Sequence, residues 1–237
     1  MAESSSSGDE EFRGEAKYKQ FSAAVERSLK GFELSSEWHD LISSLARLNK
    51  TLLAYKQYPA VPHQLLVSKR LSQCLHPNLP GGVHLKALDV YRAIFDRIGT
   101  KGLSENLLVY SSGLFPLLGH GSMSVRPSLL DIYERYYLAV GRGLVPCLSG
   151  MVLGLLPGLE DESEHTERIT GLLDAICLAT DEPSFYSALW QCVLCSDRAR
   201  LPATSYLLSK LNKKATAEDQ ANYLGGNLAL MVLCCLL

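Results

Sequence analysis

The feature that most constrains this chain is a pattern that returns. Val83, Leu88, Asp89, Val90, Tyr91 and Gly99 reappear as Val125, Leu130, Asp131, Ile132, Tyr133 and Gly141, each moved by 42 positions. The Leu-Asp pair comes back once more at Leu173-Asp174. A unit of this length, with apolar residues at helical spacing and turn residues between, reads as a pair of helices that cannot bury its apolar face alone. Neighbouring units must supply the core by stacking. The product is a long surface for binding other proteins rather than a closed pocket for chemistry.

A period in the forties made of helix pairs is the mark of HEAT or armadillo-like α-solenoids, so the chain reads as all-α, with antiparallel helix pairs stacked in series. Residues 1–16 are Ser-rich and acidic, bury too little apolar surface to offset ordering, and read as a disordered tail before a solenoid spanning 17–237. Tyr18, Phe21, Val25 and Leu29 mark a first helix that Gly31 ends. Ser35 or Ser36 caps a second, whose stripe is Trp38, Leu41, Leu45, Leu48 and Leu52 and which runs to about Tyr58, ahead of Pro59 and Pro62. A third, about 62–75, buries Leu65, Leu66, Leu71 and Leu75. The repeat then predicts helices over 83–98, 106–118, 125–140, 144–156, 165–179 and 184–195, with further helical starts at 201–211 and 227–237. Tyr91 and Tyr133 are expected at equivalent buried positions, and Trp38 and Trp190 as packing anchors. No segment alternates with period two between turn clusters, so strands are not expected.

At 47% hydrophobic residues the chain has ample material for a core, and a net charge of -2 with 20% charged residues gives no broad basic field for nucleic acid. Seven cysteines, an odd number scattered through apolar stretches, together with an acidic, polar start, read as a reduced cytosolic protein. The uncharged run from Gly143 to Leu159 is 17 residues long and carries Pro146 and Pro157. It is short of the ~20 residues of a membrane span and reads as a helix buried between repeats. The last residues, Asn227 to Leu237, stop mid-helix without a cap, where a solenoid needs a polar end, so Leu228, Leu230, Val232, Leu233, Leu236 and Leu237 read as an apolar end face. The chain is therefore expected to be an N-terminal fragment or short isoform.

Residue types that carry chemistry are present but poorly arranged. Cys192-Val193-Leu194-Cys195 lacks the second ligand pair that a zinc site needs and the βαβ context of a redox motif, so these thiols read as buried filler. Cys234-Cys235 reads the same way, with palmitoylation as a minor alternative. His120, Ser122 and Ser124 lie together, yet a nucleophile elbow needs glycine on both sides of the serine after a strand, so Ser124 reads as a helix cap. Glu160, Asp161, Glu162, Glu164 and His165 read as an acidic first turn rather than a cation loop. Leu114-Phe115-Pro116-Leu117-Leu118 fits an LxxLL pattern and reads as core. Lys210, Lys213 and Lys214 suit a helix C-terminus and fall short of a polybasic cluster. No catalytic, cofactor or metal residue is assigned.

Several blocks are similar to the N-terminal domain of the Dopey family. They are Ser36-Glu37-Trp38 with Asp40-Leu41-Ile42 and Leu48-Asn49-Lys50; Gln73-Cys74-Leu75-His76-Pro77 with Leu79-Pro80-Gly81-Gly82-Val83-His84; Gly113 to Leu118; Leu155 to Glu160; and Phe185-Tyr186-Ser187-Ala188-Leu189-Trp190. They run in order from about Lys17 to Met231, and the family's much longer proteins have further regions that this chain lacks. The resemblance implies a non-enzymatic scaffold in traffic between endosomes and the trans-Golgi, peripheral on the cytosolic face of those membranes. It also implies a large Sec7-related partner of the Mon family, lipid flippases, and links to retromer-dependent sorting and kinesin light chain. It brings no catalytic residue and no cofactor. Two alternatives stay open: a phosphoinositide-binding helical module using Lys17, Lys19, Arg27 and Lys30, and a helical hydrolase built on His120, Ser122 or the cysteine pair.

Overall fold

The computed structural model describes residues 12–33, 37–160 and 165–210, and every regular element among them is helical. The chain divides into two compact units, Met1–Ile132 and Tyr133–Leu237. Expectations that fall on residues 1–11 of the tail, on Ser35 and Ser36, on 161–164, and on 211–237, the apolar end face included, lie outside the described residues.

The first unit holds α1 (Ala16–Glu33), α2 (Trp38–Ala54), α3 (Gln64–Gln73), α4 (Gly81–Glu105), α5 (Leu107–Leu114) and α6 (Arg126–Ile132). Helix α1 buries Tyr18, Phe21, Val25, Leu29 and Phe32, steps of three and four that keep one face inward. Gly31 does not end it: the helix continues to Glu33 because Gly31 is where α2 crosses, and a Cβ there would lie 2.9 Å from the Ser44 hydroxyl. Helix α2 buries Ser44, Leu45, Leu48 and Leu52 and ends four residues short of Tyr58; Glu37 stands at its N-cap. Each fully buried leucine contributes about 1.5–3 kcal/mol relative to exposure. The helices form two rows. One runs α2, α4, α6; the other runs α1, α3, α5; and α1 packs on α2 across them.

Three sequence expectations in this unit fail for one reason. Trp38 is 44% exposed, Leu65 50% and Leu66 37%, so the stripe of α2 starts at Ser44 and the inner face of α3 is Val67, Ser68 and Leu71. Helical spacing alone cannot say which of two adjacent apolar faces meets a neighbour. Arg97 supplies a link that spacing also hides. Its guanidinium donates to the carbonyls of Leu52, Tyr55 (2.7 Å) and Tyr58, closing the end of α2, and lies 5.0 Å over the Phe21 ring. Burial pulls it below the ordinary arginine range.

The second unit holds α7 (Leu148–Leu155), α8 (Thr166–Ala179), α9 (Glu182–Cys195) and α10 (Asp197–Lys210), preceded by a π-helical turn at Tyr133–Tyr137 and a 3₁₀ stretch at Leu138–Cys147. Helix α7 packs on α9, and α9 on α10. Asp181 caps α9 by accepting from the Ser184 amide at 2.8 Å, with Pro183 in the first turn, where its missing amide costs nothing. Arg126–Leu159 is long and apolar enough to cross a membrane by length and composition. It is not one rod, since Gly141 breaks it at φ 60°, and Leu144, Leu148, Met151, Val152, Leu155 and Leu156 are buried along it.

The repeat in the sequence reappears as a repeat in conformation and burial. Tyr91 and Tyr133 are both fully buried, and Leu88, Leu130 and Leu173 all have zero exposure. Gly99 and Gly141 are the two positive-φ glycines among the described residues.

Candidate partner-binding surfaces

The Asp of the repeated Leu-Asp pair follows directly from its buried neighbour. With the leucine inside, the next residue along the helix faces the row's edge, where the adjacent helix passes. In the first unit Asp131 pairs with Arg92 at 3.6 Å, and Arg92 also donates to the Ser128 carbonyl (3.0 Å) and hydroxyl (3.1 Å). In the second, Asp174 accepts from Tyr206 (2.6 Å) and Lys210 (2.7 Å), and Glu134 takes a two-pronged bond from Arg168 (2.8 and 2.7 Å). Burial, then the bond to Asp174, raises the Tyr206 hydroxyl well above the usual phenol range. The other row is tied at the repeat spacing itself: Gln64 donates to Asn106 at 3.0 Å in the first unit, and Ser149 to Gln191 in the second, each pair 42 residues apart.

These bonds hold helices together. His120 donates its Nε2 proton to the Leu75 carbonyl at 2.9 Å, while Ser122 bonds Ser124 at 3.1 Å. Ser124 therefore does not cap α6 as expected; the amides of Val125 and Arg126 turn back to the Ser122 carbonyl instead. His84 stands edge-on to His120 with ring centres 6.0 Å apart and donates to the His76 carbonyl at 3.0 Å, so both rings staple the connector between α3 and α4. Cys192 is buried as expected and its thiol is pushed up to about 11 by burial, but Cys195 is exposed, one turn on and facing out. Cys74 and Cys147 are likewise pushed up by burial, to about 12 and 11. The LxxLL leucines are core: Leu114, Leu117 and Leu118 have at most 1% exposure. Among the described residues no group of three or more His, Cys, Asp or Glu could hold a metal ion.

Among the described residues, grooves open between successive helices of a row. Between α3 and α5 a cavity of about 540 Å³ opens to solvent, with Leu65, Leu108, Lys69, Gln73 and His76 along it. Leu108 is 75% exposed. Between α2 and α4 a smaller one of about 250 Å³ is walled by Leu45, Ala46, Asn49, Lys50, Leu53 and Lys86. Neither was legible as a site, because its residues become neighbours only once two helices are set in register. The leucines along the wider groove, Leu65 and Leu108, lie on successive helices close to the repeat spacing.

Over residues 15–236 the chain matches the Dopey N-terminal family. The chain belongs to the Dopey family. It is 48% identical over 228 residues to Protein DOP1B of Xenopus laevis, covering 95% of this chain and 10% of that protein. Protein DOP1 homolog of Drosophila melanogaster is 44% identical (94% and 9%), and Protein DOP1 of Saccharomyces cerevisiae 34% (83% and 12%). The chain thus spans about a tenth of the length of these Dopey relatives. No solved structure matches it. Many apolar residues of the blocks that carried the Dopey resemblance pack in the core, with Leu114, Leu155, Phe185 and Leu189 at zero exposure, whereas Trp38 and polar or turn residues such as Glu37, Lys50, Pro77 and Pro116 are exposed.

Proposed function

We propose that this chain is the N-terminal α-solenoid of a Dopey-type trafficking scaffold. It works without catalysis on the cytosolic face of Golgi and endosome membranes, where its helix rows hold partner proteins for endosome-to-Golgi traffic and cargo sorting. The partners proposed from the family are the Mon-family Sec7-related scaffold, lipid flippases and kinesin light chain. The match to the Dopey N-terminal domain along 15–236 carries this reading. It is supported by contacts at the repeat spacing, the local physics of a stacked-pair architecture. His120 and Ser122, each bonded elsewhere, weigh against the hydrolase alternative. For the phosphoinositide alternative, Lys17 and Lys19 are two residues apart and point to different sides of α1, and Lys30 pairs with Glu26 at 3.2 Å.

The test is co-purification of the tagged chain with the Mon-family partner from cells, together with its distribution against Golgi and endosome markers. Retention of the partner and membrane enrichment are the expected results. A chain that stays diffuse and brings down no such partner overturns the scaffold reading for this region.

A further inference from the structure

At the junction of α4 and α6 the gap within the row is filled by the Arg92 guanidinium, bonded to Ser128 and Asp131. One junction earlier it is not. Shifting α2 by 43 positions lays its buried Ser44, Leu45, Leu48 and Leu52 over the buried Ala87, Leu88, Tyr91 and Phe95 of α4. Ala46 then falls where Asp89 stands, and Asn49 where Arg92 stands. A methyl group and a short amide do not bridge to the next helix, and the gap stays open as the cavity of about 250 Å³.

Three features of its wall point to a ligand. The Asn49 side-chain oxygen is buried and has no hydrogen-bond partner among the described residues, a state that costs free energy until something bonds it. Lys50, on the same wall, has no ion pair among the described residues, and Lys86 faces it from α4, where it pairs with Asp89 of its own helix at 3.4 Å and would share its charge with an incoming carboxylate. Leu53 lies at the edge, 48% exposed.

We propose that this groove docks an acidic, leucine-bearing segment of a partner protein in extended form. An Asn amide offers one acceptor and two donors, which suit the N–H and C=O of an extended backbone. Two ammonium groups then meet carboxylates, and Leu53 meets an apolar side chain. The volume is below the ~300–1,000 Å³ of small-molecule sites and suits one or two side chains of a longer chain. A recessed slot with two lysines is a poor membrane contact, since polybasic lipid binding uses clusters of about four to eight on a protruding face. This inference rests on the scaffold reading above and names its surface.

The 237-residue chain is titrated by fluorescence anisotropy into labelled peptides of equal length alternating Glu with Leu, Gln with Leu, and Lys with Leu. The Glu-Leu peptide should bind best, more weakly as salt rises. The double variant Lys50→Glu, Lys86→Glu should lose about tenfold or more in affinity. Asn49→Arg, which installs the residue found one repeat later, should fill the slot and lose binding while melting at the wild-type temperature. Equal binding of the Glu-Leu and Gln-Leu peptides, or binding that survives both variants, overturns the proposal. So does flotation with phosphatidylcholine–phosphatidylserine vesicles that the lysine variants abolish while peptide binding is unchanged, which would make the slot a lipid site. If the double variant still co-purifies with the Mon-family partner, and the peptides fail, the groove falls and the scaffold reading stands. If the wild-type chain brings down no partner but the peptides bind as expected, the reverse holds.

Discussion

Gly99 and Gly141, 42 positions apart, both kink the helical path through positive φ, 63° and 60°, the first inside α4 and the second inside the Leu138–Cys147 stretch. At Gly99 ψ is -175°, a region essentially closed to side chains. This is why the glycine belongs to the repeat: it lets the helical path change direction at a single residue, within α4 at Gly99 and within the 3₁₀ stretch at Gly141. Gly99→Ala should therefore destabilise by about 1–3 kcal/mol in urea titrations. Gly171→Ala is the control, since Gly171 lies inside α8 with nothing within 4 Å of an added Cβ. It should be neutral or stabilising by up to about 1 kcal/mol. Equal losses at the two sites would remove the conformational explanation.

The buried and exposed aromatics should separate in the same way. Tyr133→Ala removes a ring with 1% exposure and should cost about 3–5 kcal/mol. Trp38→Ala removes one that is 44% exposed and should change stability by about 1 kcal/mol or less. Thermal melts of the two variants check the ordering, and a large loss at Trp38 would place it back in the core.

Arg97 binds three carbonyls at the end of α2 with no carboxylate among these bonds. Arg97→Met keeps much of the stem over Phe21 and leaves those acceptors without their donor. A loss of about 1–3 kcal/mol is expected, with faster amide exchange in the last turn of α2. Unchanged exchange there would mean that water replaces the guanidinium without cost.

Thiol reactivity should follow burial. At pH 8 the Cys74 thiol, pushed up to about 12, holds a negligible thiolate fraction and is shielded as well. Among the described cysteines, exposed Cys195 should be alkylated first by iodoacetamide, with Cys74, Cys147 and Cys192 protected until the fold opens. Mass spectrometry of partially labelled protein reads the order directly, and early labelling of Cys192 would contradict its placement.

Burial, opposed by the bond to the His76 carbonyl, lowers His84 below its ordinary 6.5. The unfolded chain then takes up that proton more readily than the folded one. The stabilising contribution is complete above about pH 6.5 and is lost as the pH falls through that value toward the depressed one. His84→Gln should flatten this part of the stability profile between pH 7 and pH 5 in urea titrations. An unchanged slope would assign the acid sensitivity to other groups.

Much of this fold was written into the chain at short range. Leu88-Asp89, Leu130-Asp131 and Leu173-Asp174 announced which face of each helix is buried, and the glycines 42 apart announced where the helical path breaks, because period and backbone freedom are properties of neighbouring residues. The Dopey blocks were legible for the same reason, being runs of packing and turn residues. Tertiary structure alone decided how one helix meets the next. Trp38 and Leu65 satisfy helical spacing as well as Leu45 or Leu71 does, yet they face solvent because no helix among the described residues covers them. Arg97 closes a helix more than forty residues away from its own position, and the slot walled by Asn49, Lys50 and Lys86 exists only because Asn49 is too short for the place where Arg92 bridges one unit later. Such facts depend on the distance between two helices, and a sequence carries residue identity and spacing but not the register in which two faces come together.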